Sequence, residues 1–155
     1  MTVTPQKYVR FERDGTIASG LLAGDRILEL EGNIYDGARP TGREFPAARC
    51  RLLVPCEPSK VIAVGLNYRS HRVHVEAEEG IFLTVAGKPA DRDQPVVFAK
   101  FPTSLIPHGA PIVFPEGATN VHFEGEMALV VGKKAKNVSV EAARDHVFGV
   151  SICND

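Results

Sequence analysis

The chain has 155 residues, enough for one ordinary domain or a small one with part of another. Apolar residues make up 44% and charged residues 24%, with a formal net charge of -1, so the charge balance gives no case for nucleic acid or an anionic membrane surface. No apolar run approaches a membrane span, the opening "MTVTPQKYVRFERDG" has no apolar signal core, and the three cysteines show no C-x-x-C, so the expectation is a cytoplasmic protein with reduced thiols at Cys50, Cys56 and Cys153.

"KYVRFER" alternates and runs into Asp14-Gly15, a strong hairpin signal. "TIASGLL", a second turn at Ala23-Gly24-Asp25 and "RILEL" complete a small antiparallel meander. Residues 31–48 carry Gly32, Gly37, Pro40, Gly42 and Pro46 and read as an irregular connection. "CRLLVPCEP" then leads to Pro58. The expected organisation is a small N-terminal β domain over 1–57 and a second domain over 58–155.

From Lys60, "KVIAVGLNY" is a continuous apolar run, as for a strand buried on both faces. "SHRVHVEAEEG" is predicted helical, with Ser70 at its N-cap and Gly80 as its stop. "PVVFAKF" reads as a strand, and the Pro/Gly-rich "PTSLIPHGAPIVFPEGAT" holds one short strand at "PIVF". "HFEGEMALVVG" reads as a long strand, "SVEAARDHV" as a short helix capped by Ser139, and "FGVSICND" as a final strand. Dominant strands, short helices and frequent turns predict a mixed α+β fold on a curled sheet.

Two glutamates interrupt the apolar strand "VHFEGEMALVVG". Side chains alternate along a strand, so Glu124 and Glu126 share a face with His122, about 7 Å apart at the Cα atoms. Like charges so placed repel, and a divalent cation removes the conflict. Carboxylates are hard oxygen ligands suited to Mg²⁺, Mn²⁺ or Ca²⁺, and Asp155 offers a third. The alternative is a solvent-facing side of an edge strand.

His71 and His74 stand three apart and share a helix face, with Glu76 and Glu78 beyond them. An imidazole beside a carboxylate makes a general base. The same pair, with His122, would also suit a transition metal, or lie solvated on a polar helix. Lys100 is placed either to hold an anionic substrate or as a surface lysine, and His108 and His146 read as structural.

Taken in order, four segments resemble the fumarylacetoacetate hydrolase family. "VIAVGLNYRSH" is similar to its G-x-N-Y-x-x-H opening, and "PVVFAKFPTSLIPHGAPIVFP" to its F-x-K-x-x-S segment. "VHFEGEMALVVGKKAKNV" is similar to its E-x-E-L strand, and "AARDHVFGVSICND" to the segment ending in N-D. The resemblance implies a β-roll of mixed sheet around a metal centre. It implies Glu124, Glu126 and Asp155 as metal ligands, His71 as the group that orients or deprotonates water, and Lys100, Ser104, Asn67 and Tyr68 near the substrate. Many hydrolytic members carry Glu three residues after the motif histidine; here that position is His74, and Glu76 is the carboxylate expected to stand in. His122 stands where Asp is common.

The implied activity is metal-dependent hydrolysis of a C–C bond in a 2-oxo or 1,3-diketo acid by a cytoplasmic homodimer. The alternatives are isomerisation or decarboxylation in aromatic catabolism, or a catalytically silent subunit that keeps the fold. The chain is read as a piece of a longer polypeptide, since members of the family continue beyond N-D.

Overall fold

The computed structural model describes residues 5–68, 84–85, 88–89 and 95–155. They form two units: one holds Met1–Pro55 with His108–Asp155, the other Cys56–Pro107.

The first unit contains a five-stranded antiparallel sheet: β1 (Tyr8–Arg13), β2 (Thr16–Ala23), β3 (Arg26–Glu31), β4 (Arg39–Pro46) and β5 (Arg51–Leu52), in the order β4-β3-β2-β1-β5. The β1–β2 turn needs positive φ at both central residues, and Asp14 (50°) and Gly15 (76°) supply it. Phe11, Ile27 and Leu30 are the buried apolar residues among those described. Two strands separate β1 from β4, which in a flat sheet spaces them about 14 Å apart. Yet the rings of Phe11 and Phe45 lie 5.9 Å apart between centroids, so the sheet curls around this cluster.

Residues 39–46 are a paired strand and not the irregular connection expected. Pro40 and Pro46 fit because β4 is an edge strand. Its ladder also bulges: Leu28 faces Glu44 and Leu30 faces Pro40, so Thr41, Gly42 and Arg43 all oppose Glu29. Gly42 takes φ 83° there. The bulge wraps a buried carboxylate: Glu29 accepts from the Thr41 hydroxyl at 2.8 Å and from Arg43 Nε at 2.5 Å.

The remainder of this unit is a hairpin of β10 (Gly125–Val131) and β11 (Val147–Asn154). "PIVF" forms no strand, since proline removes a ladder donor and no neighbouring strand pairs with it among the described residues. "SVEAARDHV" makes a 3-10 turn at Ala143–His146 and not an α-helix. The Ser139 hydroxyl accepts from the Ala142 N–H at 3.4 Å, satisfying only the entry to that turn. One face of the hairpin leaves Met127, Leu129, Val150 and Ile152 exposed.

The second unit pairs β6 (Val61–Gly65) with β9 (Val96–Lys100), and β7 (Thr84–Val85) with β8 (Lys88–Pro89). β6 is not buried on both faces: Ile62 and Val64, which share one face, are exposed. The predicted helix over 70–80 lies outside the described residues. Every described ladder is antiparallel, and the described residues contain 3-10 turns but no α-helix. No described helix is long and apolar enough to cross a membrane.

Candidate functional site

The carboxylates lie along one face at the open end of the β10–β11 hairpin. Gly125 pairs with Asn154 and Glu126 with Cys153. The ladder continues one step further, where the Asp155 N–H donates to the Glu124 carbonyl at 2.8 Å. Directly opposed residues share a sheet face, and so do residues two apart. Glu124, Glu126, Cys153 and Asp155 therefore lie on one face. Asn154 completes the end of the ladder with its side chain, whose Oδ1 accepts from the Glu124 N–H at 2.8 Å. That bond ties the Asn154 side chain to the backbone of Glu124, beside the rung that Asp155 makes with the same residue.

The charge on this face reaches Cys153. Partial burial raises its thiol pKa first, and the negative charges of Glu126 and then Asp155 raise it further. The thiol is thereby a weaker acid than an ordinary cysteine's, which lowers its thiolate fraction. Sequence reading singled out the three carboxylates and passed over Cys153 as their neighbour; counting back two from Asp155 would have found it.

Three carboxylates fit a hard divalent cation by donor chemistry. The side chains share a face without closing on a point: among the described residues, no group of three or more His, Cys, Asp and Glu side chains gathers closely enough to hold a metal ion. His122 is exposed just before β10.

The remaining predicted residues lie elsewhere. Asn67 and Tyr68 are exposed just after β6 in the second unit. They follow Leu66, whose φ of 49° is unusual for a bulky side chain and turns the chain sharply out of the strand. Lys100 ends β9 with Nζ 5.4 Å from the Phe98 ring centroid, a cation–π distance. The Ser104 hydroxyl donates to the Phe101 carbonyl at 2.8 Å, within its own 3-10 turn. His71, Glu76, His74 and Glu78 lie outside the described residues.

Comparison with known proteins adds the following. The family described as "Fumarylacetoacetate (FAA) hydrolase C-terminal" matches residues 60–155, and the one described as "Rv2993c-like, N-terminal" matches 6–55. The oxaloacetate tautomerase YisK of Bacillus subtilis is 30% identical over 149 residues, covering 91% of this chain and 46% of its own. A homoprotocatechuate catabolism bifunctional isomerase/decarboxylase of Escherichia coli is 33% identical over 153 residues, covering 98% and 31%. The crystal structure of a 2-hydroxyhepta-2,4-diene-1,7-dioate isomerase from Mycobacterium marinum superposes with a TM-score of 0.78 at 32% identity, covering 97% and 54%. The chain thus spans from about a third to about half of the length of these proteins.

Proposed function

Because the chain belongs to the fumarylacetoacetate hydrolase family, we propose that it serves the isomerisation of 2-oxo acids and their enols, with Glu124, Glu126 and Asp155 holding one divalent cation, Mg²⁺, Mn²⁺ or Ca²⁺. The observation that carries this reading is the register of β10 against β11, which sets three carboxylates on one face. The names of the relatives support proton transfer beside a carbonyl over hydrolysis of a C–C bond: a tautomerase, an isomerase/decarboxylase and an isomerase. Decarboxylation is the second reading, favoured by the Escherichia coli relative.

When bound, the cation supplies Lewis acidity toward neighbouring oxygens of the substrate. The chain supplies the rest. Asn154 orients Glu124 through its backbone. His71, with Glu76 as its carboxylate, moves a proton between carbon and water. Lys100 meets the substrate carboxylate, and Asn67, Tyr68 and Ser104 bind its remaining oxygens. A cytoplasmic homodimer belongs to the same reading, and sedimentation of the chain at a dimer mass tests it.

The function is tested by following the loss of enol absorbance with oxaloacetate and with 2-hydroxydienoates, with Mg²⁺ and after chelation. Metal-dependent loss that disappears in Glu124→Gln supports isomerisation. Cleavage of acylpyruvates without isomerisation returns the reading to hydrolysis. Cation binding with no turnover identifies a catalytically silent subunit.

A further inference from the structure

The ladder of β10 and β11 changes register once. Val131 pairs with Val147, but Val130 pairs with Gly149, which leaves Phe148 as an extra residue on β11. Such a bulge re-aims one side chain and shifts everything beyond it by one residue. A shift of one exchanges the two faces of a strand. Were the Val131–Val147 register to continue unbroken, Glu124 would face Asn154 and Glu126 would face Ile152. Asp155 would then point away from both glutamates. The bulge is what brings Asp155 to their side.

The bulged residue is gripped by the N-terminal sheet. The Phe148 ring centroid lies 5.0 Å from that of Tyr8 on β1 and 4.9 Å from that of Tyr35, in the turn after β3. Gly132 lies beneath this cluster. A Cβ there would come within 2.8 Å of Phe148 Cβ and 3.1 Å of Tyr35 Cδ1, so only glycine lets the rings settle. The Gly132 N–H also donates to the His146 carbonyl at 3.0 Å, which pins the register on the near side of the bulge.

We propose that Phe148 is a positioning residue: clamped by Tyr8 and Tyr35 over Gly132, it holds the bulge that sets Asp155 on the face of Glu124 and Glu126. The N-terminal sheet thereby sets the geometry of the carboxylate face without contributing a ligand to it. The functional consequence rests on the metal reading above; the register itself does not.

The register is read by disulfide trapping. In a Glu126→Cys background, position 126 opposes Cys153 at a spacing that a disulfide spans. Mild oxidation and peptide mapping give the yield of that bond. Phe148→Gly is expected to lower the yield about tenfold, as the loss of two aromatic pairs frees the bulge to slip. The double variant Tyr8→Ala/Tyr35→Ala removes the clamp from the other side and is expected to do the same, and it carries the test if Phe148→Gly does not fold. Deletion of Phe148 is expected to keep the parental yield, because a strand without the extra residue reaches the same pairing with no bulge to anchor. Parental yield in Phe148→Gly, or a deletion as poor as Phe148→Gly, overturns the proposal. Mn²⁺ titration of the same variants in the Glu126 background separates the two readings. The expected disulfide pattern with no Mn²⁺ binding in any of them leaves the register role standing and removes the metal.

Discussion

The N–H of Asp155 donates to the carbonyl of Glu124 at 2.8 Å, so two carboxylates far apart in sequence stand opposite each other at the last rung of the β10–β11 ladder. With Glu126 on the same face, three carboxylates share one end of the hairpin.

That charge is measurable at Cys153. Burial, then Glu126, then Asp155 raise its thiol pKa, so alkylation by iodoacetamide should show a pH midpoint above the ordinary thiol value of about 8.5. Glu126→Gln should lower the midpoint. The folded pKa lies above the unfolded one, so the associated stabilisation is full below the ordinary thiol pKa and is lost as pH rises through the Cys153 value. A midpoint no higher than that of the urea-unfolded chain contradicts the assignment.

Glu29 should prove the most sensitive charge in the N-terminal sheet. Its side chain is 6% exposed and depends on Thr41 and Arg43. Arg43→Ala leaves a buried carboxylate short of a charged donor, at a cost of roughly 1–3 kcal/mol. Urea denaturation should show a lower midpoint with an unchanged slope; an unchanged midpoint shows that Thr41 alone suffices.

Gly20 should not tolerate alanine. A Cβ there would approach Ile27 Cγ2 to 2.5 Å and the Leu28 carbonyl oxygen to 2.9 Å. The side chain belongs to the buried core and the oxygen to the backbone, so neither yields easily. Overpacking of this kind costs about 1–3 kcal/mol. Thermal unfolding of Gly20→Ala checks it, and parental stability shows that the sheet opens to admit a methyl group.

How much of this was legible in the sequence depends on the range of the interaction concerned. The Asp14-Gly15 hairpin was, because positive φ at two successive residues leaves a local mark. So was the shared face of Glu124 and Glu126, which needs only strand alternation. β4 was not, because Pro40, Gly42 and Pro46 signal a loop unless the strand is known to be an edge and its bulge known to wrap Glu29. The place of Asp155 beside the glutamates came from the family resemblance. Spacing alone does not deliver it, since a single extra residue, Phe148, reverses the faces of β11 and owes its place to Tyr8 and Tyr35, more than a hundred positions earlier.

The central claim is that this face binds a divalent cation, and calorimetric titration of the chain with Mn²⁺ and Mg²⁺ tests it most directly. The account predicts saturable binding of one ion per chain, weakened about tenfold or more in Glu124→Gln, Glu126→Gln and Asp155→Asn alike, because each replaces one of three anionic ligands by a neutral amide. Binding that is unchanged in all three variants, or that prefers Zn²⁺ and vanishes instead with His71→Ala or His122→Ala, contradicts it.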